Sequence, residues 1–228
     1  MADLWQLNSA SLHIQTVNLW ETLSNDAWQW AESFCAIAGS RSFGKKIQPY
    51  LLGYSLGGRM GLHGLIQQPD LWAGAVIVSA DPGSSDEQKR ALYLERDRTW
   101  ANRFLNEPWD DLLAEWDQLP VFCGRPCTVP RPESVFDRHK IAHAFEAYSK
   151  GKMDYLTPHL SRLSLPITYV TGGDDHRYGQ IGRTLAAECP NVTHIEIPDA
   201  GHRVPWEQPE AFLEVLIHVL TDGDEARR

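Results

Sequence analysis

The sequence predicts an α/β fold built on a mainly parallel sheet. Three observations carry that prediction. Short apolar runs alternate with segments of helical periodicity along much of the 228-residue chain. Residues 73–79 read Ala-Gly-Ala-Val-Ile-Val-Ser, the continuous apolar run needed by a strand covered on both faces. Residues 53–57 read Gly53-Tyr54-Ser55-Leu56-Gly57, a G-x-S-x-G set between an apolar run and a helical pattern.

In chain order, residues 12–17 read as a strand. Residues 25–37 read as a helix, with Ser24 or Asn25 placed to accept a first-turn amide. Residues 48–54 form a short buried strand, and 56–67 a helix whose glycines allow close packing. After the strand at 73–79 the alternation stops. Residues 85–106, 109–118 and 136–149 are helical, with a proline-rich loop at 125–132 between the last two. Strands return at 166–171 and 192–197, flanked by helices at 178–188 and 207–220, and 221–228 is a polar tail. The expected organisation is one core, residues 1–81 and 161–228, with a helical lid insertion at 82–160. Such a lid would cover the C-terminal ends of the strands, where open α/β sheets bind ligands.

Composition excludes some functions. A net charge of −9 argues against nucleic-acid and membrane-surface partners. No apolar run approaches the roughly 20 residues that span a bilayer, and residues 1–15 lack the basic-then-apolar layout of a signal peptide. Nine tryptophans favour aromatic packing or an aromatic-lined pocket. Cys35, Cys123, Cys127 and Cys189 are scattered without a second Cys/His pair at zinc spacing, so they are expected to be reduced thiols of a cytoplasmic protein. His139 and His143 lie one helical turn apart, but no Glu follows His139; two solvated helix histidines are expected.

The G-x-S-x-G set has a mechanical reading. A tight turn would hold the Ser55 hydroxyl out at the top of the sheet, with bulk at either flank clashing with strand or helix. Gly53 and Gly57 would remove those clashes, and the Leu56 amide would point into the same space as an oxyanion donor. A serine hydroxyl needs a histidine to take its proton and an acid to orient that histidine. Gly172-Gly173-Asp174-Asp175 follows one strand, and Pro198-Asp199-Ala200-Gly201-His202 follows the next. Both sit at C-terminal strand ends, the same edge as Ser55. Asp199 reads as a turn residue, leaving Asp174 or Asp175 as the acid beside His202.

A family resemblance enters at Gly53-Tyr54-Ser55-Leu56-Gly57-Gly58-Arg59. With it go Arg98-Thr99-Trp100-Ala101-Asn102-Arg103-Phe104 and Glu115-Trp116-Asp117-Gln118-Leu119-Pro120-Val121-Phe122. Together they resemble the 2-succinyl-6-hydroxy-2,4-cyclohexadiene-1-carboxylate synthases of menaquinone and phylloquinone biosynthesis. These are α/β-hydrolase-fold proteins that eliminate pyruvate from an enolpyruvyl cyclohexene carboxylate instead of hydrolysing a bond. The resemblance is dense at 50–122 and thin at 123–165. It implies a catalytic triad of Ser55, Asp175 and His202, because the family places the acid three residues after the first loop glycine. It implies substrate-binding roles for Tyr54, Trp116 and Arg59, the last for a carboxylate. Helix geometry agrees, since residue i+4 lies on the serine's side and a guanidinium grips a carboxylate at two points. An ordinary ion-paired surface arginine is the competing reading.

The resemblance further implies a small anionic carboxylate substrate and no metal or organic cofactor. The chain departs from the family where a lid arginine is replaced by Tyr93; Arg90 and Arg96, one turn to either side, are the substitute candidates. Arg96 equally fits a solvated stripe with Lys89 and Arg103 at heptad spacing. A second lid arginine has only Arg131 and Arg138 as loose counterparts. The family's early Pro-Gly-His-Gly loop is replaced by Asn18-Leu19-Trp20-Glu21-Thr22. A strand ending in His-Gly, source of the second oxyanion amide, has no counterpart, so N-terminal strands of the usual fold are expected to be missing. Three readings stand: the pyruvate-eliminating synthase, a serine hydrolase on small esters, and a non-catalytic relic of the fold. The expected assembly is a monomer or weak homodimer.

Overall fold

The computed structural model describes residues 14–41 and 48–225. Among them one parallel sheet runs in the order β1-β2-β3-β4, with β1 Tyr50–Tyr54, β2 Gly74–Val78, β3 Ile167–Gly172 and β4 Val192–Ile197. Strand β2 is buried at every position. Its side chains alternate between two cores, as the two-residue period of a strand requires. Ile77 joins Leu51, Leu62, Leu65, Tyr169 and Leu185 on one face. Val76 and Val78 join Val170, Ile197, Phe212 and Leu216 on the other. Helices α2 (Leu56–Gln67) and α7 (His176–Glu188) cover the first face, and α9 (Pro209–Glu225), which follows the single turn α8 (Val204–Glu207), covers the second.

Helix α1 (Ala27–Arg41) precedes the sheet and packs on α2. Between β2 and β3 come α3 (Glu87–Asn106), α4 (Trp109–Asp117), α5 (Arg138–Ala147) and the single turn α6 (Thr157–Leu160). Asp86 caps α3 by accepting from the amides of Gln88 and Lys89, and Asp137 caps α5 through those of His139 and Lys140. An aromatic-rich cluster holds this segment together: Trp100, Phe104, Trp109, Leu112 and Ile141, with Trp116 and Phe145 against them. Ala144, Ala147 and Tyr148 then dock it on Ala27, Trp30 and Met60.

Two expectations need correction. Residues 14–17 form no strand, residues 12–13 lie outside the described residues, and β1 pairs with β2 alone among the described strands. Residues 12–17 scored as a strand on local β-propensity, which does not by itself supply a partner strand. Nor is His143 a solvated helix histidine: its Nε2 lies 2.9 Å from the Ser24 carbonyl oxygen, tying α5 to the segment before α1. His139 is exposed.

Candidate active site

Ser55 sits between β1 and α2 with φ 48° and ψ −112°. That is a costly region for a residue with a Cβ, on the order of 1–3 kcal/mol. The turn is pinned by the Ser55 amide, which donates to the Val78 carbonyl at 2.9 Å. Crowding explains two glycines. A Cβ on Gly53 would stand 2.7 Å from the Gly58 Cα, and one on Gly58 would stand 2.7 Å from the Ala80 Cβ. Gly57 differs from expectation: a Cβ there meets nothing within 4 Å among the described residues. The steric demand falls on Gly53 and Gly58, because Gly57 is on the exposed side of the first helical turn. Leu56 is the first residue of α2, so its amide has no intrahelical acceptor and opens from the helix N-terminus.

Asp175 caps α7, accepting from the Tyr178 amide at 3.3 Å. Its Oδ2 lies 2.8 Å from His202 Nδ1, and His202 Nε2 lies 3.1 Å from Ser55 Oγ. A carboxylate only accepts, so Nδ1 carries the proton and Nε2 is left to accept from the serine hydroxyl. Asp175 and His202 are both buried. Gly172 makes this approach possible: a Cβ there would stand 2.2 Å from the carbonyl oxygens of Ala200 and Gly201. Asp174 points elsewhere, to an exposed ion pair with Arg125. Asp199 has φ 56° and is a turn residue.

Three aromatic rings surround His202. Tyr178 is centred 4.7 Å away, Tyr54 5.5 Å and Phe122 6.0 Å. Burial pushes the Tyr178 hydroxyl up to about 12 and raises Tyr54 strongly, so both stay neutral. Trp116 is one ring removed, centred 6.0 Å from Phe122. The segment carrying Phe122 is held down from beneath by Arg203, whose guanidinium lies 3.7 Å from the Phe122 ring centre and donates to Asp117 at 2.6 Å.

Arg59 lies on α2, one turn past Ser55. Its Nη1 donates to the Tyr148 carbonyl at 2.8 Å and touches Met153 Sδ at 3.3 Å. Burial lowers its pKa, while Asp97 and Asp81 act on it only through space. Among the described residues no carboxylate pairs with it. Arg96 lies nearby but is bound to Asp97, and Arg90 is turned to the Gly151 carbonyl at 3.1 Å. Arg131 is taken by Asp117, and Arg138 by Glu133 and the carbonyls of Phe104 and Glu107.

Two cations beside Arg59 were not anticipated from the sequence. Lys150 reaches Asp81 at 3.1 Å, both side chains being buried, and Arg177 reaches the same oxygen at 3.5 Å. Lys150 also lies 4.2 Å over the Tyr93 ring. Arg59, Arg96 and Arg177 each depress Lys150, so the four cations form one electrostatic group, with Asp81 and Asp97 as its anions. No local motif marks Lys150; it lies in a loop and meets Asp81 across 69 residues of chain. Arg177 had a signal, its place two residues after Asp175. Among the described residues no cluster of three or more metal-ligating side chains occurs, and no helix is long and apolar enough to cross a membrane. All four cysteines are free thiols.

The sequence profile of the alpha/beta hydrolase family matches residues 20–215. The chain is 33% identical over 180 residues to the 2-succinyl-6-hydroxy-2,4-cyclohexadiene-1-carboxylate synthase of Serratia proteamaculans (strain 568), covering 76% of this chain and 68% of that protein. It is 30% identical over 198 residues to the synthase of the same name from Photorhabdus laumondii subsp. laumondii, covering 83% and 68%. Among solved structures, MenH from S. aureus superposes with a TM-score of 0.77 at 22% identity, over 87% of this chain and 76% of that one. A thermophilic esterase from Thermogutta terrifontis, malate bound, gives 0.64 at 19%, over 94% and 76%. Those two likenesses concern the fold. The chain belongs to the alpha/beta hydrolase family and, within it, to the family of 2-succinyl-6-hydroxy-2,4-cyclohexadiene-1-carboxylate synthases.

Proposed function

We propose that the chain is a carbon–oxygen lyase that eliminates pyruvate from an enolpyruvyl-succinyl-cyclohexene carboxylate, the activity its relatives' names and the sequence resemblance imply, with Ser55, Asp175 and His202 as its catalytic triad. The observation that carries the reading is the hydrogen-bonded line from Asp175 through His202 to Ser55, with Arg59 one helical turn away and no carboxylate of the described residues paired with it.

His202 Nε2 takes the Ser55 hydroxyl proton as the substrate binds, and Asp175 stabilises the imidazolium that results. The serine oxygen then removes a ring proton. The electron pair left on carbon forms the new ring double bond and expels enolpyruvate, which becomes pyruvate on protonation at carbon. The Leu56 amide and the N-terminus of α2 stabilise negative charge at the serine and the leaving oxygen. Arg59 receives a substrate carboxylate through its remaining N–H groups, while Tyr54, Phe122 and Trp116 form the apolar wall. The reaction uses no metal or organic cofactor, and the reading places it in the cytoplasm, consistent with four free thiols.

The test is direct. The chain is incubated with the enolpyruvyl substrate, pyruvate is followed by a coupled dehydrogenase, and short-chain nitrophenyl esters are assayed in parallel. Pyruvate release that disappears in Ser55→Ala supports the proposal. Ester turnover without pyruvate release refutes it in favour of a hydrolase.

A further inference from the structure

The second cation of the site is not on the long helix α3, where the family resemblance directs attention, but on α7. Arg177 follows the acid Asp175 by two residues, and its side chain is 46% exposed. Its Nη2 donates to the Tyr93 hydroxyl at 2.7 Å. Its guanidinium carbon lies 5.8 Å from the centre of the Tyr178 ring, and that ring lies 4.7 Å from His202. Arg177 therefore stands at the rim of the triad, not on a remote surface.

Its charge meets an unusual division of partners. Asp81 is the carboxylate within reach, but its Oδ2 is closer to Lys150, at 3.1 Å, than to Arg177, at 3.5 Å. The Asp81–Lys150 pair is buried, whereas Arg177 opens to solvent. Asp81 Oδ1 is occupied by the Gly83 amide at 3.1 Å. Lys150 thus shares this anion with Arg177 and is the closer of the two. What fixes Arg177 in direction is the neutral Tyr93 hydroxyl, which uses one of five guanidinium donors. Arg59 is held the same way, by the neutral Tyr148 carbonyl. Both arginines act electrostatically on Tyr178, pulling against the burial that raises its hydroxyl. Two oriented guanidinium groups thus act on one ring beside His202.

We infer that Arg177 binds a second carboxylate of the substrate, with Arg59 binding the first. The inference rests on the proposed function. It makes the site selective for dicarboxylates over monocarboxylates.

Three probes separate the two subsites: 2-succinylbenzoate, which has both carboxylates; 3-benzoylpropanoate, which has only the chain carboxylate; and 2-butanoylbenzoate, which has only the ring carboxylate. Affinities are measured by calorimetry for wild type, Arg177→Gln, Arg177→Lys and Arg59→Ala. Arg177→Gln is expected to weaken the dicarboxylate about ten- to a hundredfold, the range of a charged hydrogen bond. It should weaken one monocarboxylate and spare the other, while Arg59→Ala weakens the one spared. Arg177→Lys, which keeps the charge and loses the fork, should recover part of the loss. Unchanged affinities in Arg177→Gln, an equal loss for all three probes, or a wild type that binds none of them would overturn the inference. Pyruvate release by wild type is scored separately. Its absence beside the expected binding pattern would refute the proposed reaction while leaving the assignment of Arg177 standing.

Discussion

Gly53 and Gly58 are in contact across the turn that carries Ser55: a Cβ on Gly53 would stand 2.7 Å from the Gly58 Cα. A Cβ on Gly58 would in turn stand 2.9 Å from the Gly53 carbonyl oxygen. Strand β1 and helix α2 therefore touch backbone to backbone just where the chain reverses. This predicts opposite outcomes at adjacent positions. Gly58→Ala should lose about 1–3 kcal/mol of stability, as overpacked sites do, and displace Ser55. Gly57→Ala should be neutral or gain up to about 1 kcal/mol, since alanine is the better helix former and its methyl group meets nothing. Chemical denaturation of the two variants settles it. A Gly57→Ala protein less stable than Gly58→Ala would show the steric assignment to be reversed.

The two adjacent aspartates should separate as sharply. Asp175 faces His202 at 2.8 Å from within the fold, and Asp174 pairs with Arg125 at the surface. Asp175→Asn should lower kcat by about 10³- to 10⁴-fold, because an amide no longer fixes the tautomer or balances the imidazolium. Asp174→Asn should cost only a few-fold, an exposed ion pair contributing about 0–1 kcal/mol. Similar losses in both would mean that the acid is not assigned correctly.

Arg59→Ala removes a part-buried cation one helical turn from Ser55. The expected loss in kcat/KM for pyruvate release is about ten- to a hundredfold, on the scale of a charged hydrogen bond. Arg59→Lys should restore less than half of that loss in logarithmic terms, because the point charge lacks the planar fork. An Arg59→Ala enzyme with wild-type kcat/KM would remove this arginine from the site.

Lys150 gives a pH signature in stability. Burial lowers its pKa from 10.5 to about 8, against the upward pull of Asp81. In the unfolded chain the ammonium holds its proton to the ordinary lysine value, about 10.4. Between these values the unfolded state binds more protons than the folded one, so this group's contribution to stability rises with pH and is flat below the window. The measurement is Tm from pH 7 to 10.5 for wild type and Lys150→Met. The difference, wild type minus variant, should climb once the pH passes 8. A difference that falls over the same range would mean that Lys150 is stabilised in its charged form.

Much of this protein was set locally. The apolar run at residues 73–79 reads as a strand covered on both sides, and β2 is buried at every position. Helix α2 spans Leu56–Gln67, the segment given by its own periodicity and the turn before it. Ser55, Asp175 and His202 were legible because each follows a strand, and parallel strands bring their C-terminal ends to one edge. Residues 12–17 show the limit of local reading: their pattern suits a strand, yet 14–17 form none, because a strand exists only with a partner to complete its hydrogen bonds. The same limit explains Gly57, where the motif marks a glycine and the close contact falls on its neighbour. Only the tertiary structure could join Lys150 to Asp81, set Arg177 against Tyr93, and turn Arg59 to the Tyr148 carbonyl. Charge pairing falls off with distance through space, not along the chain, and burial decides how strongly each pair is felt. The sequence therefore determined the sheet and the line from Asp175 through His202 to Ser55, while packing decided which cations meet carboxylates of the protein and which meet neutral groups.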